Sequence, residues 1–187
     1  SVTVGDGPLG IAVHPIDGRV FVADWYLNRI NVLRPVSLET IGQIAVGKSP
    51  SGVAFTPDGR WALSADRDSN AVSVVDAATL KVVAVIPVGE RPFGVTVSAD
   101  GQRAYTAKVK GDSVSVIDLE RRAVVATVGV GLRPYAVALA GDLAFSTDQY
   151  AESVSVIDLT TMKKVKTIEV GGYPEGIGAD PAGRYVY

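Results

Sequence analysis

The chain has 187 residues, 18 basic and 20 acidic side chains, a formal charge of −2 and no cysteine. That charge balance argues against a duplex nucleic-acid binder, which carries a basic excess. The missing thiols exclude disulfides, thiolate metal sites, iron–sulfur clusters, cysteine nucleophiles and thioether-linked haem, and no apolar run approaches the ~18 residues of a membrane helix.

One phrase recurs along the chain: Val-Gly, two variable residues, Pro, one variable residue, then Gly or Ala. Its copies begin at Val4, Val46, Val88, Val130 and Val170, spaced by 42, 42, 42 and 40 residues. The repeat units are therefore 4–45, 46–87, 88–129, 130–169 and a partial 170–187. In the second unit a short apolar strand is expected over 52–56. The turn Pro57-Asp58-Gly59 follows, with φ fixed by Pro, Asp bonding its own backbone, and Gly free to take a positive φ. Strands are expected over 60–66, 71–76 and 81–88, separated by the polar loop 67–70 and the turn 77–79. The third unit repeats this with strands over 94–98, 102–107, 113–118 and 123–130. The fourth is shortened at Gly141-Asp142, and the fifth holds one inner strand and the start of a second.

Four short strands per ~42 residues with a turn signal at each junction is the pattern of a β-propeller blade. The fold class is thus all-β, a propeller of four-stranded antiparallel blades in about four and a half repeats. It is read as part of a larger propeller of the seven-bladed type, the alternative being a closed set completed by the N-terminal strand. Gly10, Gly52, Gly94, Ala136 and Gly176 are expected near the axis, where backbones crowd.

The segments Thr56-Pro57-Asp58-Gly59-Arg60, Ser113-Val114-Ser115-Val116-Ile117-Asp118, Ser153-Val154-Ser155-Val156-Ile157-Asp158 and Arg184-Tyr185-Val186-Tyr187 resemble the YVTN β-propeller repeat. The name-giving strand is altered to Val20-Phe21-Val22-Ala23-Asp24, Ala62-Leu63-Ser64-Ala65-Asp66, Tyr105-Thr106-Ala107-Lys108 and Phe145-Ser146-Thr147-Asp148. The resemblance implies an exported protein, in the periplasm, outside the cell or on its surface. It also implies a range of roles: surface-layer modules, periplasmic propellers that bind macromolecules, subunits of quinoprotein amine dehydrogenases, and lactonases. Fold alone does not choose among them.

No catalytic constellation, metal set or cofactor motif emerges from spacing. The single His14 reads as a turn residue bonding local backbone. Asp24, Asp66 and Asp148 read as loop caps through Asx-type bonds rather than cation ligands, and Asp76, Asp118 and Asp158 as turn formers. Variation concentrates in the slots around the repeat proline. Leu9, Ser51, Phe93, Tyr135 and Glu175 follow it; Gly7, Ser49, Arg91, Arg133 and Tyr173 precede it. The second loop on the same face contributes Trp25, Tyr26, Arg29, Arg67, Lys108, Lys110, Gln149 and Tyr150, and Lys108 replaces the Asp of three sister repeats.

The expected site is a cationic, aromatic-lined rim of Arg91, Arg133, Phe93, Tyr135, Tyr173, Glu175, Trp25, Tyr26, Arg67, Lys108 and Tyr150. Guanidinium groups hold carboxylates and phosphates; ring faces stack planar groups. The leading function is a non-enzymatic binding propeller with a protein or anionic ligand on the face around the central funnel. A lactonase or dehydrogenase subunit is the alternative, with Glu175, His14 and the arginines as its acid/base candidates, Glu175 first because it occupies the variable slot, and a surface-layer module is the second alternative.

Overall fold

A computed structural model describes residues 2–187. The first blade is β1 (Pro8–Val13), β2 (Val20–Asp24), β3 (Arg29–Leu33) and β4 (Thr40–Ala45). The second is β5 (Pro50–Phe55), β6 (Trp61–Asp66), β7 (Ala71–Asp76) and β8 (Lys81–Pro87). The third is β9 (Pro92–Val97), β10 (Arg103–Lys108), β11 (Ser113–Asp118) and β12 (Ala123–Gly129). The fourth is β13 (Pro134–Ala140), β14 (Leu143–Asp148), β15 (Ser153–Asp158) and β16 (Lys163–Glu169). Each blade is an antiparallel meander in sequence order, and the inner strands β1, β5, β9 and β13 lie side by side in that order. The fold is a β-propeller.

The turns form as their residues dictate. Asp58 accepts the Thr56 hydroxyl at 2.6 Å and the Arg60 amide at 3.0 Å, and those bonds hold its carboxyl below the usual range. Asp100 repeats this with Ser98 and Gln102. The outer turns use Asp76, whose carboxylate accepts the amides of Ala78 and Thr79, and Asp158, which accepts those of Thr160 and Thr161.

The core lies between blades. Phe21, Ile30 and Val32 pack on Val53, Ala62 and Val75 at the first boundary. Leu63, Val72 and Val74 meet Ala104 and Ile117 at the second. Tyr105, Val114 and Val116 meet Val137, Ala144 and Ile157 at the third. A four-stranded sheet has two apolar faces, and radial stacking covers both. Among the described residues the other faces of the first and fourth blades have no blade against them: Ile11 and Val13 of β1 are 65% and 60% exposed.

The axis crowds as the small residues require. A Cβ on Gly52 would stand 2.6 Å from the Phe93 carbonyl oxygen, and one on Gly94 2.6 Å from that of Tyr135. Gly176 departs from the expectation, because a Cβ there meets nothing within 4 Å. Gly52 and Gly94 each meet the inner strand of the following blade, and among the described residues no such strand packs on Gly176; residues 170–187 form a single bridge, Ala179 to Val186.

Candidate functional site

The slot after the repeat proline sits in a β-bulge in every blade. Between the pairs Pro8–Asp24 and Ile11–Val22, Leu9 and Gly10 oppose the single residue Ala23. Ser51 and Gly52 oppose Ala65, Phe93 and Gly94 oppose Ala107, and Tyr135 and Ala136 oppose Thr147. A bulge turns a side chain out of the strand's alternation. Here it delivers Leu9, Phe93 and Tyr135 to the axis, on the face made by the loops that lead into each inner strand and those that join each second and third strand.

On that face Phe93 and Tyr135 lie 4.2 Å apart, centroid to centroid, and Trp25 of the first blade lies 6.4 Å from Phe93. Ser51 explains how Trp25 reaches over the second blade. It is the smallest of the five residues at this slot, and it is buried, its hydroxyl shared between the carbonyls of Ala65 and Phe93 at 2.9 Å each. With Tyr26, Leu9, Gly7 and Pro8, the three rings line an open groove of about 320 Å³. The Arg67 guanidinium stands 5.4 Å from the Trp25 ring centre, a cation–π distance.

The other rim residues form a second group. Arg133 lies 4.6 Å from the Tyr150 ring centre and donates to its hydroxyl at 2.7 Å, and Tyr173 meets Tyr150 edge-on at 6.0 Å. Arg91 is exposed beside Asn70, Glu90 and Lys110 around a shallow, polar cleft. Lys110 is taken up by Glu90 at 3.1 Å. Glu175 accepts from Gln149 Nε2 at 2.6 Å.

The pre-proline slot is freer in side chain than in backbone. Ser49, Arg91, Arg133 and Tyr173 all hold φ of 54–55°, and three of their amides donate to the preceding blade: Ser49 to Asn28, Arg91 to Asn70, Arg133 to Asp112, each at 2.9 Å. These clamps give Arg91 and Arg133 fixed starting points. They escaped the sequence reading, although an Asn or Asp recurs at their position in the loop between second and third strands.

Three sequence expectations need correction. Lys108 is not a rim cation: it is buried at 6% exposure, beneath the exposed Gly89. Asp66 and Asp148 are not loop caps. Asp66 accepts the hydroxyls of Ser64 and Ser73 and the Gly47 amide, and Asp148 those of Ser146 and Ser155 and the Gly131 amide. Burial pushes both carboxyls above the usual range, against the pull of those bonds. The fully buried Asp24 carboxylate accepts no hydrogen bond among the described residues and stands 3.5 Å from Arg29 Nε. His14 bonds local backbone as expected, Nδ1 accepting from the amides of Ile16 and Asp17. It also reaches the next blade, where Nε2 meets the Gly59 carbonyl at 2.9 Å, so it lies at the far end of the blade from Glu175 and the two do not form an acid/base pair. Among the described residues no group of three His, Cys, Asp or Glu is placed to hold a metal.

No protein-family model matches the chain, and no curated protein matches it. Solved structures do. A chain of "Kuenenia stuttgartiensis Hydrazine Synthase" superposes with a TM-score of 0.91 at 25% identity, over 99% of this chain and 56% of that one. A functionally unknown protein from Desulfotomaculum acetoxidans superposes at 0.78 and 17% identity, over 92% of this chain and 62% of that one. The chain thus spans less than two thirds of either. The second likeness concerns the fold alone.

Proposed function

We propose that the chain is a non-enzymatic binding module of YVTN type, exported, and part of a larger propeller. Its funnel face takes a ligand or partner group that is planar and anionic. The observation that carries this is the ring row Trp25–Phe93–Tyr135, assembled from three blades, with Arg67 over one end. Rings in an open groove offer a stacking surface worth about 1–3 kcal/mol per planar group, and the arginines favour negative charge over positive. The larger propeller is supported by the uncovered apolar face of the first blade and by the greater length of the similar chains.

The chain carries two tryptophans, Trp25 in the groove and Trp61 at the opposite face, each with a separate indole N–H resonance. Titration with naphthalene-2-sulfonate should shift the Trp25 signal saturably and leave Trp61 in place. Phe93→Ala with Tyr135→Ala should abolish the shift. Equal movement of both signals, or none, overturns the reading. A second reading, a propeller subunit of a multi-subunit enzyme, is favoured only by the likeness to a hydrazine synthase chain.

A further inference from the structure

One position in the blade repeat exists in opposite polarities. At the end of each second strand stand Asp24, Asp66, Lys108 and Asp148. In the second and fourth blades the carboxylate is held by the amide of the repeat glycine, Gly47 or Gly131, and by a Ser hydroxyl from the third strand. In the third blade the glycine peptide is turned the other way. Gly89 takes φ of +96°, where Gly47 and Gly131 keep ordinary values. The Val88 carbonyl, not the Gly89 amide, then faces inward and accepts the Ser115 hydroxyl at 2.9 Å. The first blade shares this arrangement, with Gly5 at φ +114° and the Val4 carbonyl accepting Asn31 Nδ2 at 2.7 Å, although its residue at the same position is Asp24.

The amine itself is left without an anion. No carboxylate lies within 4 Å of Lys108 Nζ among the described residues, and no side chain or carbonyl bonds it. Burial lowers its pKa, with no opposing charge to raise it. The side chain is 6% exposed, and its amine keeps a narrow contact with solvent, so an anion arriving from outside can reach it. The way in is short: Gly89 is exposed, and a Cβ there would stand 3.1 Å from Nζ.

We propose that Lys108 is the seat for a carboxylate brought from outside, entering over Gly89 and filling the place that Asp66 and Asp148 fill from within their own blades. The seat deepens the anion-binding reading of the funnel face and rests on it. The carboxylate belongs either to a small acid or to an acidic side chain of a partner protein.

The test is a titration of the whole chain with sodium acetate against sodium chloride at equal ionic strength. The Gly89 amide and the Lys108 Nζ resonances are followed by NMR. Acetate should move both saturably in the millimolar range, and chloride should not. Lys108→Met should weaken binding at least about tenfold, the loss of one charge-assisted hydrogen bond, and Lys108→Asp should abolish it. The Trp61 indole signal confirms that each variant is folded. A parallel arm uses a capped peptide with one internal Glu: tighter binding than acetate assigns the seat to a partner's side chain, equal binding to a small acid. No saturable shift in the wild type, or the same shift in Lys108→Met, overturns the proposal. Phe93→Ala with Tyr135→Ala should leave acetate binding intact, so failure of the ring groove and failure of the seat are told apart.

Discussion

Ser51 bonds the backbone of Phe93 across a blade boundary, its hydroxyl 2.9 Å from the Phe93 carbonyl oxygen. The same hydroxyl reaches Ala65 in its own blade, so one small side chain ties two inner strands and leaves open the space above them. Ser51→Ala should lower stability by about 1 kcal/mol, because two buried carbonyls lose a donor. Urea unfolding measures it. An unchanged midpoint would mean that the contact does not hold the boundary.

The axis tolerates no added carbon in its second and third blades. Gly52→Ala and Gly94→Ala would each drive a Cβ to 2.6 Å from a backbone oxygen, which cannot rotate away. Each should cost about 1–3 kcal/mol. Gly176→Ala, at a site with nothing within 4 Å, should stay within about 0.5 kcal/mol of wild type. The contrast, read in one set of denaturant melts, separates crowding from any general loss of glycine.

The interblade clamps should be separable from backbone preference. Asn70 holds φ of 55° and accepts the Arg91 amide at 2.9 Å. Asn70→Gly removes the bond alone and should cost about 0.5–1.5 kcal/mol. Asn70→Ala adds the strain of a left-handed conformation and should cost more. Equal losses in thermal or urea unfolding would show that the backbone there relaxes.

Buried carboxyls and the buried amine give opposite pH signatures. Asp66 and Asp148 have raised pKa values, burial first among the causes, so the folded chain holds their protons more tightly than the unfolded one. The stability they contribute is present below the unfolded pKa of about 4 and is lost as pH rises through the folded one. Asp66→Asn should therefore gain on wild type as pH rises from about 4 to 7. Lys108 has a lowered pKa, so the folded chain sheds its proton first. Relative to Lys108→Met, the wild type should gain stability as pH rises through that lowered pKa toward about 10. Unfolding free energies across pH check both, and flat differences would refute the shifts.

Much of this was legible from residue order. The repeat phrase fixed blade length, strand number and the loops that share a face, because turns built on Pro-Asp-Gly and strands of alternating Val depend on neighbours in sequence. The slots of Phe93, Tyr135 and Trp25 stood out because their chemistry varies where flanking residues do not. Asp66 and Lys108 were misjudged for a related reason: their neighbours, Ser73 beside Asp66 and Gly89 over Lys108, come from other strands and connecting segments, and no local pattern states which amide or carbonyl faces in.

Sequence by itself determined the all-β blade repeat and the identity of the variable positions. Only the tertiary structure decided where those positions point. A bulge is defined by two residues facing one on a neighbouring strand, as Phe93 and Gly94 face Ala107, so it is a property of pairing and not of either segment alone. The ring row likewise exists because blades stack about an axis, which places Trp25 and Phe93 beside each other though 68 residues of chain separate them.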